Sequence, residues 1–416
     1  MTLSCERYNL VNSIFTKLIA GLLFAPALVF AATINVTTSS DIGPGNCAVP
    51  TSCTTLRAAI INASSGDTIQ IPSGTIFISS TLQIAKDLTL QGVGSTLVVI
   101  DGSNSHRSIE FSANSLTIND IQIQNSLSVD GLGGAGLLIQ SGHVMINRAT
   151  FSGNSSSTMG GAINNYGSLT VKRSTFFNNH SPSGAAIAIG SASSATLYYS
   201  SIVNNTTTTG LLSAAIDNAG TLTAEGNLFH NQEDCAGTGN TLSLGYNLQS
   251  ASSCNFATGT LTPDYSNVTI LPVASVLSDH GRTQILPPDT TQTVSIDMGP
   301  STCTGQDQTG TPVPQNVRCD IGAVEIISTT SPSTGTNQNG LGDDGEHEDD
   351  DDEGDREDDD EHDDESNGIG AFGGHYFLLL LTVTGVLRQK ICARLYVDKC
   401  QRYFLFGNLY EENKHG

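Results

Sequence analysis

Arg148, Lys172, Arg173, Tyr198 and Tyr199 are the residues of this 416-residue chain whose types and spacing could do chemistry. An asparagine recurs at positions 125, 154, 179, 205 and 231. Counting six residues back from each one gives Asn119, Arg148, Arg173, Tyr199 and Glu225. One position earlier lie Asn147, Lys172 and Tyr198. If the asparagines stack in register, these residues form a column with steps of about 4.8 Å. Such a column on an elongated surface would suit contact with a sugar or an acidic polymer. The competing reading is a solvated corner, where long side chains cover apolar surface.

Catalysis makes stricter demands. Glycoside hydrolysis needs two carboxylates about 5–9.5 Å apart. The repeat region holds Asp87, Asp101, Glu110, Asp120, Asp130, Asp217, Glu225, Glu233 and Asp234. Asp120 precedes its asparagine by five residues and Glu225 by six, several repeats away, so no pair forms. Lyase chemistry needs a base among cations. Arg148, Lys172 and Arg173 supply the cations, without an acid cluster of the Ca²⁺-binding kind. His106, His143, His180, His230 and His280 have no metal-ligand spacing. The sequence therefore predicts no metal, no cofactor and no catalytic residue. Binding is favoured over polysaccharide cleavage, and a passive surface coat is a third reading.

These residues sit in a repeat. Short apolar strands begin near Leu88, Leu116, Val144, Leu169, Leu197 and Leu222, and small-residue runs ("GGAG", "GGAI", "GAAI", "SAAI") recur with them. Glycine is abundant at 43, tryptophan is absent and no long helical period occurs. Units of three- to five-residue strands joined by Gly/Asn turns cannot span the crossovers of a flat parallel sheet. Winding each unit into a coil lets every strand pair with its copy in the next. The expected fold is all-β: a right-handed parallel β-helix (solenoid) of about eight coils. Glycines allow the tight turns, the asparagines stack amide on amide, and Phe151, Phe176, Ile202 and Leu228 form an inward stack.

The ends of a solenoid expose strand edges. "CTTLRAAIINASSGDTIQI" places Leu56, Ala59, Ile60 and Ala63 on one helical face behind Thr54 and Thr55, which predicts an N-terminal helical cap. The run "LIAGLLFAPALVFAA" reads as a secretory signal cleaved after Ala31. Export permits disulfides. Short separations favour Cys47 with Cys53, Cys235 with Cys254 and Cys303 with Cys319, out of 15 connectivities open to six cysteines. Of the net charge of −23, residues Asp343 to Glu365 carry −17, leaving −6 for the rest. Nothing is strongly basic, which disfavours nucleic acid. The acidic run is a disordered, solvated linker, with weak divalent-cation binding as the alternative. Beyond it, Ile369 to Lys390 is predicted as a hydrophobic anchor helix, shorter than a full span needs.

Three stretches carry resemblances to known families. "CTTLRAAI" resembles the Cys-Ser-Leu-Arg-Glu-Ala-Ile segment that opens many bacterial surface β-helix proteins. Cys53, Leu56, Arg57, Ala59 and Ile60 match, and Ala58 stands where Glu is usual. The Gly-Gly-Ala-Ile and Asn repeats resemble those of polymorphic outer-membrane proteins. "LGYNLQSASSC", "SDHGRTQILPP", "IDMG" and "CDIGAVE" resemble the choice-of-anchor Q domain, while "DQTGTPVPQN" departs from that domain's arginine-bearing form. After the linker, Gly373 and Gly374, an apolar run and Arg388 resemble GlyGly-CTERM sorting tails. These resemblances imply surface display, anchoring through a membrane and a sorting protease. They imply no catalytic residues.

The sequence thus divides into a signal peptide (1–31), an N-terminal cap with first coils (32–87) and β-helix repeats (88–240). A C-terminal cap (241–327), the acidic linker (328–368), the anchor (369–390) and a tail (391–416) follow. That tail is read as a cytoplasmic extension or an out-of-frame translation. The functional expectation is an exported cell-surface protein of the outer membrane, adhesin-like, whose partners are a polysaccharide or a host or neighbouring surface.

Overall fold

The computed structural model describes residues 31–326, apart from 44, 50, 209–213, 257–262, 270–272 and 292. Ala31 is the first described residue. The rest of the leader, the acidic linker, the anchor segment with Gly373, Gly374 and Arg388, and residues 391–416 lie outside the described residues. Among the described residues, no helix is long and apolar enough to cross a membrane.

The described chain is nearly all-β and winds as a parallel β-solenoid. Its faces hold eleven, eight, seven and four strands. One coil shows the logic. Ser168–Lys172 joins the eleven-stranded face, Thr175–Phe177 the eight-stranded, His180–Ser181 the four-stranded and Ile187–Ile189 the seven-stranded. Alternation in the first strand turns Leu169 and Val171 inward and leaves Lys172 outside. The strand pairs in parallel with His143–Asn147 on one side and Ser194–Tyr198 on the other. Isoleucine, leucine, valine and phenylalanine from the faces fill a continuous core. Phe151 and Phe176 stack within it, ring centroids 5.1 Å apart.

The register corrects three alignments made from sequence. Leu169 pairs with Ala195, and Leu197 pairs with Val171. A slip of two keeps a strand residue on the same face, so the apolar pattern could not detect it. Ile202 pairs with Phe229. Phe229, not Leu228, therefore continues the inward stack, and Leu228 joins an outer cluster with Phe177, Val203 and Ile321. The third slip concerns Asn125. It sits at a left-handed turn position, φ +49°, and bonds to Asp101, while Ser126 occupies the ladder site beside Asn154.

The asparagines do form a ladder. Asn154 Nδ2 donates to Asn179 Oδ1 (2.9 Å), Asn179 Nδ2 to Asn205 Oδ1 (2.9 Å), and Asn205 Nδ2 to Asn231 Oδ1 (3.2 Å). Asn231 Nδ2 then donates to Asp234 Oδ1 (3.0 Å). A second ladder runs Asn227 to Asn247 to Asp264, at 3.0 and 3.1 Å. Each amide donates in one direction, so the last needs an acceptor with no donor of its own. A carboxylate oxygen is such an acceptor, and both ladders end on an aspartate, Asp234 and Asp264. Gly134, Gly160 and Gly184 stack at another corner with φ of +63°, +63° and +59°. A side chain there would collide with backbone: a Cβ at Gly160 would lie 2.3 Å from the Ile163 carbonyl oxygen.

At the front, Leu56–Asn62 forms a helix capped by Thr55, whose Oγ1 accepts from Ala58 N at 3.1 Å. Leu56, Ala58, Ala59 and Ile60 are buried, and Arg57 reaches Asp41 at 2.6 Å. Disulfides join Cys47 to Cys53, Cys235 to Cys254 and Cys303 to Cys319.

The chain after the last coils runs back along the flank of the solenoid. Gln284 bonds to Gln122, 162 residues away. Gln308 Nε2 donates to Ala149 O (3.1 Å) and Thr150 Oγ1 (2.8 Å), while its Oε1 accepts from Thr175 Oγ1 (2.6 Å). Ala323 N donates to Ser201 Oγ at 3.0 Å. Thr150, Thr175 and Ser201 are one register row of the eight-stranded face. This explains why strand Thr175–Phe177 is buried on both sides.

Candidate functional site

The eleven-stranded face ends at a corner that the flanking segment partly covers. Asn147, Lys172, Tyr198 and Glu225 are its last residues on successive coils, paired in register. The next residues are Arg148, Arg173 and Tyr199, with φ of +51°, +51° and +46°. Asp120 (φ +56°) lies one coil before them and Gly226 (φ +67°) one coil after. Sequence counting placed Asn119 and Glu225 in the arginine column. The register moves both to the neighbouring column: Asn125 stands one residue before its ladder site, which puts Asp120 beside Arg148, and the turn before Asn231 lacks the left-handed residue that Asn178 and Asn204 supply, which pairs Glu225 with Tyr198. Left-handed backbone costs a side-chain-bearing residue about 1–2 kcal/mol. Glycine, as at 226, would be the easy solution. Large side chains kept at three such stacked positions mark a corner worth functional attention.

Across from this corner lies the loop Thr302–Gln306, tied down through the Cys303–Cys319 disulfide. The two walls enclose a groove of about 490 Å³ lined by Asn147, Arg148, Lys172, Arg173, Tyr198, Tyr199 and Glu225 on the solenoid side. All five residues singled out as ligand-binding candidates from sequence therefore share one groove.

The two arginines differ in what they do. Arg148 is committed: its Nε and Nη2 donate to the Asp120 carboxylate at 2.7 and 2.9 Å. Arg282 Nη1 (3.1 Å) and Gln91 Nε2 (2.9 Å) complete that cluster. Burial alone would raise the Asp120 carboxyl, but the bonds from Arg148, Gln91 and Arg282 hold it below the usual carboxylate range. Arg173 is different. It is 6% exposed, and its Nη1 and Nη2 have no hydrogen-bond partner among the described residues. Its guanidinium lies over the Tyr199 ring, 4.2 Å from the centroid. Burial lowers its proton affinity, yet an arginine stays charged at any ordinary pH. Tyr199 donates its hydroxyl to Glu225 Oε1 at 3.2 Å. Burial, followed by the Glu225 charge, pushes the Tyr199 phenol well above its ordinary value. Lys172 is exposed, its Nζ 5.6 Å from the Tyr198 ring centroid.

Behind the groove, Asp307, Asp320 and Glu325 are buried and act electrostatically on Arg173. Asp307 Oδ2 accepts from Glu325 N (2.9 Å), and Glu325 Oε2 accepts from Asp320 N (3.0 Å). Burial pushes the Asp320 carboxyl up to about 7 and raises Glu325 in the same direction. The sign follows. An unfolded aspartate releases its proton near 3.8, so between pH 4 and 7 the folded state holds a proton that the unfolded chain has lost. Stability is therefore full below about pH 4, falls as pH rises to about 7 and is flat beyond. The expected fall is a few kcal/mol, on the order of 2–4. Thermal melts from pH 4 to 8 should show it in the wild type. Asp320→Asn should flatten the profile, and an unchanged slope would contradict the assignment.

The residues that sequence reading missed belong to the other wall. Thr302–Gln306, Arg282 and the buried acids lie in the segment resembling the anchor-Q domain. Their motifs were visible, but no local pattern reports that the segment folds back more than a hundred residues. For chemistry, the groove offers one unpaired buried cation, one exposed cation, two tyrosines and a single lining carboxylate, Glu225. No family model, curated protein or solved structure matches the chain.

Proposed function

We propose that the protein is an exported, surface-displayed β-solenoid that binds an extended glycan through the groove on its flank, without cleaving it. The observation that carries this reading is the convergence of Arg173, Lys172, Tyr198 and Tyr199 on one groove. Three disulfides support an oxidising, exported setting. The helix Leu56–Asn62 covers the front of the first coils as a cap, and the coils wind right-handed, the sense that parallel strand crossovers take. The resemblances to bacterial surface proteins and sorting tails support display at the outer membrane. Deleting Gly373 to Lys390 should then release the protein to the medium; retention at the envelope would remove the anchor from the account.

A polysaccharide lyase is the second reading, favoured by cations beside tyrosines. Against it, Tyr199 holds its proton more tightly than a free tyrosine, and Glu225 alone cannot supply the carboxylate pair of a hydrolase. The deciding experiment incubates the purified protein with acidic and neutral glycans. Retention of an acidic glycan with no shortening and no unsaturated product is expected. Product release that is lost on Arg173→Ala would establish an enzyme instead.

A further inference from the structure

We infer that Arg173 is the anchoring subsite of the groove and takes the carboxylate of a uronic-acid residue through Nη1 and Nη2. This rests on the reading of the groove as a glycan site and adds the ligand's chemical class. Arg173 is only 6% exposed, its Nη1 and Nη2 are buried without a partner, and the residue lines the groove. Leaving two N–H-bearing atoms of a cation buried and unpartnered is costly. The cost is removed when a planar oxyanion docks fork to fork. Tyr199, beneath the guanidinium, fixes its plane.

The surroundings select a single negative charge. Arg148 is already bound to Asp120 and has little to offer a ligand. Glu225 lines the same groove, and Asp307, Asp320 and Glu325 stand behind Arg173. Those acids oppose a doubly charged phosphate more than a carboxylate. Lys172, at the rim, draws the polymer in, and the exposed face beside Tyr198 receives a neighbouring ring. The coil repeat of about 4.8 Å is close to the repeat of a pyranose chain, so adjacent sugars meet adjacent coils. With the linker so acidic, recognition has to come from a local pairing of this kind and not from overall charge.

The test measures binding of the purified chain to an oligogalacturonate, its carboxyl-reduced neutral counterpart and a phosphorylated oligomannan. The uronate oligomer should bind at least tenfold more tightly than the neutral one and the phosphorylated one. Arg173→Met should lose at least tenfold, and Arg173→Lys should fall between, since it keeps the charge and loses the fork. Thr304→Glu, at an exposed position on the opposite wall, supplies a competing carboxylate. It should weaken binding at least tenfold with an unchanged melting temperature, so the inference stays testable even if Arg173→Met does not fold. Equal affinity for uronate and neutral oligomers, or preference for the phosphorylated one, would overturn the inference while leaving the groove reading intact. Wild-type binding by Arg173→Met and Thr304→Glu would also overturn it and make Arg173 the counter-charge of the buried acids. Retention of none of the glycans would remove both readings.

Discussion

Asn179→Ala should destabilise the solenoid by about 3–5 kcal/mol, at the top of the range for single substitutions. The side chain makes four hydrogen bonds in a dry interior. Its Oδ1 accepts from Asn154 N (3.0 Å) and Asn154 Nδ2 (2.9 Å), and its Nδ2 donates to Phe151 O (2.9 Å) and Asn205 Oδ1 (2.9 Å). Alanine strands the Phe151 carbonyl and the Asn154 amide and breaks the ladder in its middle. The neighbouring Asn178 provides the control. It is exposed and holds φ +54°. Asn178→Ala should cost only about 1 kcal/mol, the left-handed penalty, and Asn178→Gly nothing or less. Urea unfolding of the three variants separates a ladder amide from a turn amide. Equal midpoints for Asn178→Ala and Asn179→Ala would contradict the register.

The second large effect is at Gly160. Gly160→Ala should cost 3 kcal/mol or more, combining about 1–2 kcal/mol for left-handed backbone with a collision. The added Cβ would meet Ile163 O at 2.3 Å and Asn164 Cα at 2.8 Å. Both are backbone of the strand Ile163–Asn165 that follows and cannot swing away. Gly153 has nearly the same φ, +62°, but its nearest neighbour is the Asn125 Oδ1 side-chain atom at 3.0 Å. Gly153→Ala should therefore lose only about 1–2 kcal/mol. Melting temperatures that fall equally for the two would show that backbone conformation, not close coil packing, sets the glycine requirement.

The solenoid was legible because two features share its period: inward apolar residues and buried asparagines. Register was less legible. A slip of two residues, as at Leu197, leaves every side chain on its own face, so hydrophobicity carries no warning. The slip at Asn125 came from a left-handed asparagine that looks in sequence like a ladder one, and the slip at Leu228 from a turn one residue shorter, in which Asn231 follows His230 with no left-handed residue between. The three disulfides were readable because their partners are near in sequence. One wall of the groove was readable as well, since Arg148, Lys172, Arg173, Tyr198 and Tyr199 break a pattern of small polar residues. The other wall was not. Thr302–Gln306 has no unusual composition, and its place is fixed by contacts such as Gln308 with Thr175, made at long sequence distance. The carboxylates that end each ladder, Asp234 and Asp264, were likewise visible only once the direction of the amide chain was known.

The most direct measurement of the central claim is lysine protection by a bound glycan. The described residues contain two lysines, Lys172 in the groove and Lys86, which bonds to the Ile61 and Ala63 carbonyls near the front. Acetylation of each is followed by mass spectrometry with and without oligogalacturonate. Slower modification of Lys172 with Lys86 unchanged is the predicted result. Retention of the polymer with Lys172 as reactive as in the free protein would place binding elsewhere and contradict the account.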